Sequence, residues 1–455
     1  MTPILWAIVG LQSCKKDETC DPVAEEGCGD GQVCEEVDGG EPACFAPVRV
    51  EGRVFDLEHE DGIGAARVGA LDANGSPASS IAVSGSDGSY ALSVPAVRDT
   101  EGTPVRADVT LRADASGYVS FPSGVRTALP IDLSAAAPSE AAWAVALPST
   151  DLGLVEQPDG TGTASVHGTV ETTQDGAGVL VVVEQGGEGT TAIADIDGSY
   201  AVFNLASGAA EVTAYARGAS YEREVVDLED DAATEVDLAR IDDATGTVEG
   251  NVQIVNAPGG AMTSVILVVE STFDDVLARG ERPPGLRAPS PPEDPNVSGD
   301  YSITGVPAGR YVLLASFEND DLVRDPDTSI GGTQIQHIDV ASGQTISAEG
   351  FKITEALGLT SPGSDAPEMV TEAPLLRWED DSSEDTYNVE VFDALGQLVW
   401  SEEIEGVSGD DPSLPYGGPL ESGMYYQFRV TSMKDGVPIS RTEDLRGVFW
   451  MEPKP

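Results

Sequence analysis

Residues 195–203 read DIDGSYAVF, and this stretch decides the fold. An acidic turn that ends in Gly198 separates two runs in which apolar and polar residues alternate. That arrangement indicates a β-hairpin, because Gly adopts the turn geometry that two paired strands require. Tyr200 opens the second strand, and we expect it to be a buried aromatic anchor. The alternative is an exposed ring that stacks on a ligand.

The same pattern occurs twice more, as SDGSYALSV at residues 86–94 and SGDYSI at residues 298–303. Successive Tyr residues of the three copies lie 110 and 101 positions apart. This spacing is too long for a solenoid repeat and fits a whole small β domain. We expect Leu92, Phe203 and Ile303 to share the buried face with their Tyr. The sequence therefore predicts three homologous β modules in tandem.

A first strand of the form V-x-G-x-V precedes each hairpin, at residues 50–54, 166–170 and 248–252. Its alternation is typical of a half-buried strand. A second apolar strand follows it, and a further stretch such as GVPAGRYVLLA at residues 305–315 follows the hairpin. This order resembles the carboxypeptidase regulatory-like family over residues 48–355. The resemblance implies transthyretin-like (prealbumin-like) seven-stranded β-sandwiches that are exported and non-catalytic.

The pattern changes near the C-terminus, where Trp378 follows an apolar run and residues 420–430 read LESGMYYQFRV. This end of the chain resembles a fibronectin type III domain, a second kind of β-sandwich. The resemblance implies that Trp378 is a core residue. It also implies that Tyr426 is the tyrosine-corner residue, with Leu420 and Gly423 at the spacing of the family.

The first residues indicate export. Residues 4–11 (ILWAIVGL) form an apolar run that is too short to span a bilayer and is typical of a secretory signal. The LQSC at residues 11–14 resembles the lipobox of bacterial lipoproteins, although no Lys or Arg precedes it. The resemblance implies cleavage before Cys14, a lipid on Cys14 that anchors the chain to a membrane, and an outer-membrane or cell-surface location. The alternative is an ordinary secretory signal, with Cys14 free or in a disulfide.

Four further cysteines follow in a short Gly-rich segment: Cys20, Cys28, Cys34 and Cys44. Four Cys in an exported segment predict two disulfides, and three connectivities remain open. The segment has few apolar residues, so it needs such cross-links to fold. No pair has the C-x-x-C spacing, which argues against a zinc or redox site.

Charge excludes several functions. The chain carries 79 acidic and 24 basic residues, a net charge of −55, which would repel nucleic-acid phosphates. The three His (His59, His167 and His337) fall in different predicted modules, and we find no catalytic motif. We therefore predict no enzyme activity, no catalytic residues, no metal and no cofactor. We interpret the acidic turns at residues 195–198 and 229–231 as solvated surface rather than Ca²⁺ ligands.

A Pro-rich insertion, RPPGLRAPSPPEDP at residues 282–295, interrupts the third module. Proline lacks the N–H that a strand would donate, so the insertion is predicted to loop out. We interpret it as a tolerated surface excursion. The alternative is an extended recognition loop on a rigid sandwich.

Together these patterns predict an all-β fold of tandem β-sandwiches after a small disulfide-rich segment. The predicted units are a signal peptide (1–13), a Cys-rich stalk (14–46), three carboxypeptidase regulatory-like domains (47–160, 161–243 and 244–358) and a fibronectin type III-like domain (359–455). We refer to the last four as modules one to four. The predicted function is a non-catalytic envelope lipoprotein whose independent modules, in a row, act as a structural spacer or binding scaffold. The alternative is a surface adhesin that binds a carbohydrate or an envelope protein through the Pro-rich insertion or module four.

Overall fold

The structure is a computed structural model of the chain. It describes residues 20–21, 27–29, 31–72, 77–105, 107–139, 142–158, 160–172, 178–255, 263–275, 279–290, 296–317, 335–354, 356–381, 384–407, 411–443 and 445–452. The described residues form β-strands joined by turns, with three short 3-10 turns, so the all-β prediction is confirmed. No helix in these ranges is long and apolar enough to cross a membrane.

The Cys-rich segment contains one small hairpin and two disulfides. The strands Val33–Glu35 and Ala43–Phe45 pair antiparallel. The disulfides join Cys20 to Cys34 and Cys28 to Cys44. The structure therefore confirms that all four predicted cysteines are paired, and it selects one of the three connectivities.

Module one is a sandwich of two sheets with apolar side chains of both sheets between them. The first sheet contains the strands Val48–Asp56, Ser89–Val94, Tyr118–Val119, Ala137–Pro138, Trp143–Val145 and Leu152–Glu156. The second contains Arg67–Leu71, Ala82–Val83, Asp108–Asp114 and Ile131–Asp132. The 3-10 turns Leu133–Ala135 and Pro148–Thr150 lie in the connections.

Modules two and three repeat this plan. The strands of module two are Ala164–Thr169, Val179–Gln185, Glu188–Ala194, Ser199–Leu205, Gly208–Tyr215, Ser220–Tyr221, Glu224–Leu228, Ala233–Glu235 and Arg240–Ile241. Those of module three are Gly246–Val255, Thr263–Val269, Arg287–Ala288, Asp300–Val306, Gly309–Phe317, Gln336–Val340, Thr345–Ser347 and Phe351–Thr354, with the 3-10 turn Glu270–Thr272. In each module the first strand pairs antiparallel with the hairpin strand and parallel with a later strand.

Module four is a sandwich of a different kind. Its strands are Leu359–Ser361, Glu368–Val370, Leu375–Trp378, Thr386–Asp393, Leu398–Glu405, Ser413–Pro415, Tyr425–Lys434, Val437–Arg441 and Val448–Met451. Trp378 and Tyr426 are buried in its core, as the sequence predicts. The Tyr426 hydroxyl accepts a hydrogen bond from the Glu421 N–H at 2.8 Å, which closes the loop before its strand.

The two repeated motifs of modules one to three form one structural unit. The register places the Gly of each V-x-G-x-V directly opposite the Tyr of its hairpin, in the pairs Gly52–Tyr90, Gly168–Tyr200 and Gly250–Tyr301. The backbone on the far side of the first strand approaches two of these glycines closely. A Cβ added to Gly168 would lie 1.9 Å from the Val236 carbonyl oxygen, and one on Gly52 would lie 2.0 Å from that of Thr150. Only Gly fits there.

The side chains of Tyr90 and Tyr200 lie over the glycines opposite them. The hydroxyl of Tyr90 donates to the Thr150 carbonyl, and that of Tyr200 donates to the Val236 carbonyl. Each bond therefore ties the hairpin to the chain on the other side of the first strand. Burial raises the pKa of both phenols, so they remain protonated donors. The Tyr301 hydroxyl is also buried but has no hydrogen-bond partner among the described residues.

The predicted buried face is correct in modules one and three and wrong in module two. Leu92 and Ile303 are buried, two positions after their Tyr. Phe203 lies three positions after Tyr200 and is half-buried, whereas Val202 is 1% exposed. The reason is the two-residue period of a strand, which places Val202 on the face of Tyr200.

The Pro-rich insertion does not loop out over its described part. Residues 283–288 are buried, and Arg287–Ala288 pairs as a short strand with Thr263–Val269. Leu286 and Ala288 belong to the apolar core of module three. Residues 291–295 lie outside the described residues. The proline residues interrupt the pairing but leave room for a two-residue edge strand.

We expect Gly168→Ala to lower the free energy of unfolding of module two by about 2–3 kcal/mol, because its methyl group overlaps the Val236 carbonyl. Tyr200→Phe should cost about 1–2 kcal/mol, since it leaves that carbonyl without its donor. Chemical denaturation followed by tyrosine and tryptophan fluorescence measures both.

Tyr301→Phe is the matched control, because it removes a hydroxyl that makes no hydrogen bond within the described part of module three. We expect a change within about 0.5 kcal/mol. Equal losses for Tyr200→Phe and Tyr301→Phe would contradict the role of the hydroxyl bond.

Candidate functional site

Arg112 joins modules one, two and three. It lies on the strand Asp108–Asp114, and its side chain is nearly buried. Its Nε contacts the Asp114 carboxylate at 2.9 Å, its Nη1 contacts Glu281 of module three at 2.8 Å, and its Nη2 contacts the Thr191 hydroxyl of module two at 3.0 Å. Burial lowers the pKa of Arg112, but Asp114 and Glu281 outweigh it and the pKa is raised overall. The guanidinium is therefore a permanent charged link between three modules.

Further hydrogen bonds join modules one and two. The Asp195 carboxylate accepts the Ile81 N–H of module one at 3.0 Å. The Asn204 amide donates to the Tyr118 carbonyl at 2.8 Å and accepts the Gly117 N–H at 2.7 Å. The predicted acidic turn at 195–198 is thus partly an intermodular contact.

Modules two and three share apolar surface. Leu180 and Val182, on the strand Val179–Gln185, belong to the same apolar cluster as the core of module three. The rings of Tyr215 and Tyr311 meet edge to face with centroids 6.0 Å apart. The expectation of fully independent modules is therefore wrong at this joint.

Module four packs back against module one. The Arg126 Nη2 donates to the Leu395 carbonyl of module four at 2.7 Å and to the Gly153 carbonyl of its own module at 2.6 Å. In the other direction, the Arg429 Nη2 donates to the Thr127 hydroxyl at 3.2 Å. Module one thus contacts all three other modules, so the expectation of a row is also wrong.

The Cys-rich segment is fastened to module one through Arg98, which is completely buried. Its Nε forms an ion pair with Glu35, and its Nη2 donates to the Ala46 carbonyl at 2.8 Å. Burial raises the pKa of Glu35, while Arg98 and the Ala96 N–H act in the opposite direction. Breaking a buried pair leaves an uncompensated charge, so this segment is held in place rather than flexibly linked.

A cleft of about 330 Å³ lies where modules one, two and three meet. Four arginines line it: Arg112, Arg126, Arg279 and Arg282. Asp274 and Glu281 are the carboxylates in the lining. Apolar side chains such as Leu71 and Ile193 form part of the wall. The cleft is not predictable from local sequence patterns, because its residues come from three modules.

His59 lies beside two carboxylates, a cluster that was not predicted from the sequence. Its Nδ1 is 3.2 Å from the Asp56 carboxylate, and one oxygen each from Asp56 and Glu156 lies within 4.8 Å of a His59 ring nitrogen. The D-x-x-H spacing of residues 56–59 is the sequence signal. Asp56 already accepts the N–H groups of Glu58 and His59 and the Tyr118 hydroxyl. The cluster therefore holds a loop of module one together.

The remaining residues singled out in the sequence are Cys14, the acidic turn at 229–231, His167 and His337. Cys14, the predicted lipidation site, lies outside the described residues. In the acidic turn at 229–231, the N–H of Asp231 donates to the Thr163 hydroxyl. His167 lies on the strand Ala164–Thr169, and His337 contacts Glu270 at 3.0 Å, far along the chain from His59.

No known protein family matches the chain. No curated protein matches it either. Among solved structures, the Bacillus anthracis TIE protein is 10% identical over 85% of this chain and 66% of its own, with a TM-score of 0.16. The minor pilin GBS52 of Streptococcus agalactiae is 13% identical over 44% of this chain and 99% of its own, with a TM-score of 0.19.

A DUF3823 family protein from Bacteroides uniformis is 12% identical over 46% of this chain and 99% of its own, with a TM-score of 0.21. The chain spans about two thirds of the length of the Bacillus anthracis protein. At these values the similarities identify no family.

We expect Arg112→Met to lower the free energy of unfolding by about 2–3 kcal/mol, because it leaves Asp114 and Glu281 without their cation. The loss is smaller than for a fully buried pair, since Glu281 is 37% exposed. Differential scanning calorimetry should also show the transition of module one separating from those of modules two and three.

Arg310→Met is the control, because its ion pair with Glu270 lies within module three and near the surface, with side chains 62% and 28% exposed. It should change the stability by less than about 0.5 kcal/mol. If the two variants unfold alike, Arg112 is not the link we describe.

The pH dependence of stability should report the His59 contact. The hydrogen bond to Asp56 raises the pKa of His59 above 6.5. A raised pKa means that the stabilisation is fully present below the unfolded value and is lost as the pH rises through the folded value. Wild type should therefore melt above His59→Gln at pH 5.5 and together with it at pH 9, measured by calorimetry. A difference in melting temperature between wild type and His59→Gln that stays the same at both pH values would contradict the ion pair.

Proposed function

We propose that the protein is a non-catalytic, lipid-anchored envelope protein whose β-sandwich modules form one compact binding scaffold around module one. The observation that carries the proposal is the set of intermodular contacts made by Arg112, Arg126 and Asn204. A chain that acts only as a long spacer has no use for contacts between module one and module four. A chain that presents a surface built from several modules depends on them.

The N-terminal segment supports export. Two disulfides in a short segment are typical of proteins that fold in an oxidising compartment. The buried Glu35–Arg98 pair then joins this segment to module one. A lipid on Cys14 would therefore be coupled to the scaffold through a defined structure.

The short N-terminal segment limits how far the scaffold could lie from the membrane. Six residues lead from Cys14 to the disulfide-bonded Cys20, and such a chain reaches at most about 20 Å when extended. A scaffold held this close would keep one side toward the bilayer. The net charge of −55 would oppose contact with anionic headgroups and favour presentation away from the surface.

A surface adhesin is the second candidate function. The structure disfavours one of its two predicted contact regions and favours the other. Residues 283–288 of the Pro-rich insertion are buried, which disfavours this half as a recognition loop. In module four, the half-buried rings of Tyr425 and Trp450 stack with centroids 5.5 Å apart and planes 5° apart. Aromatic rings at a sandwich surface suit a carbohydrate ligand, which favours module four as the binding region of an adhesin.

Metabolic labelling with an alkyne analogue of palmitate tests the anchor. We expect the label on the wild-type chain and its complete loss in Cys14→Ala, since no other residue fits the lipobox pattern. The double variant Cys20→Ala/Cys34→Ala is the control, and it should keep the label because it removes one disulfide only. Label that persists in Cys14→Ala, or a chain released to the medium in both forms, would contradict the proposal.

A further inference from the structure

Basic residues are scarce in this chain, yet they gather at one place. The chain has 24 Lys and Arg against 79 Asp and Glu, so an average surface patch is strongly negative. The cleft between modules one, two and three has four arginines and two carboxylates in its lining. Its lining therefore holds more arginines than carboxylates, whereas the chain as a whole is strongly acidic.

Three of these arginines, Arg112, Arg126 and Arg282, have structural partners. Arg112 is neutralised by Asp114 and Glu281. Arg126 is held by neutral groups, the carbonyls of Gly153 and Leu395 and the ring of Phe121, whose centroid lies 4.7 Å from the guanidinium carbon. Burial lowers the pKa of Arg126, and the charge of Asp393 offsets this effect only in part. These contacts fix the position of Arg126, and no carboxylate of the described residues forms an ion pair with it.

The remaining arginine points to a ligand. The Arg126 Nε is buried with almost no accessible surface, so it does not reach a molecule in the cleft. The Arg279 guanidinium, half-buried at the same cleft, makes no hydrogen bond or ion pair in the part of the chain that the structure describes. Donors of this kind are suited to the oxygens of a carboxylate or phosphate, which accept two parallel N–H bonds from one Arg.

The size and charge of the cleft narrow the ligand class. A volume of about 330 Å³ is at the lower end of small-molecule sites, which usually combine apolar walls with a few polar groups. A polyanion would extend beyond the cleft and meet the acidic surface within the screening length of about 8 Å at physiological salt. A compact molecule with one or two charges would stay within the cleft and would not reach the acidic surface.

We propose that this cleft binds a small organic anion, a carboxylate or phosphate carried by a compact polar molecule such as a monosaccharide. Arg279 makes the ion pair with the anion, and Arg126 supports it from the wall of module one. The inference rests on the packed scaffold of the proposed function and is independent of the lipid anchor. Binding would also stabilise the joint of the three modules, because the site exists only when they are packed.

Isothermal titration calorimetry of the purified full chain, with glucuronate, glucose 6-phosphate and glucose as probes, tests the site. We expect heat of binding with both anions and none with glucose, and weaker binding as NaCl is raised. Binding of one anion alone would identify the preferred acidic group. No binding of either anion at 10 mM would overturn the proposal, while leaving the palmitate result for the anchor unaffected.

Variants at Arg279 locate the binding. Arg279→Gln should weaken anion binding about tenfold, as expected for the loss of one charge-assisted contact. Arg279→Lys should retain part of the affinity, because it keeps the charge and loses the two-pronged geometry. Arg49→Gln is the matched control, since Arg49 is exposed on another strand of module one and should bind like wild type. Equal affinity in Arg279→Gln and Arg49→Gln, with unchanged melting temperatures, would exclude the cleft.

Discussion

The structure depends on one cross-strand pair, in which a Gly on the first strand faces a Tyr on the hairpin strand. In module two the absence of a side chain at Gly168 lets the backbone at Val236 approach closely. The Tyr200 ring crosses that gap, and its hydroxyl donates to the Val236 carbonyl. Three segments that are distant in sequence are thereby fixed at one point. Modules one and three share the Gly–Tyr pair, although the Tyr301 hydroxyl has no hydrogen-bond partner in the described part of the chain.

The contacts between modules avoid placing acidic surfaces against each other. A chain with a net charge of −55 repels itself, and its modules would separate if they met through acidic surfaces. The joints instead use a few arginines whose donors reach carboxylates and backbone carbonyls of a neighbouring module. Where modules two and three meet, apolar surface and the Tyr215–Tyr311 contact replace charge. Arg112 and Arg126 therefore both connect modules and line the cleft between them.

Local patterns predicted the fold, because strand alternation, hairpin turns and paired cysteines are properties of neighbouring residues. The burial of Tyr200 and Trp378 and the pairing of the four cysteines follow from such patterns. The error at Phe203 came from its position relative to Tyr200, not from the hairpin itself. The burial of residues 283–288 could not be read from proline content, because it depends on the groove beside Thr263–Val269.

The site was not predictable in the same way. Arg112 meets Thr191 and Glu281, which lie 79 and 169 positions away along the chain. Nothing in the local sequence of Arg112 or Arg279 distinguishes them from the other arginines of the chain. Their role appears only when three modules are packed, so the cleft belongs to the arrangement of modules rather than to any motif.

Small-angle X-ray scattering of the full chain in solution measures whether the modules pack around module one. A compact body of 455 residues has a radius of gyration of about 23 Å. Four domain-sized bodies end to end would give roughly 40 Å. We expect a radius of gyration near the first figure that does not change with salt. A value near the second, with the profile of an elongated particle, would contradict it.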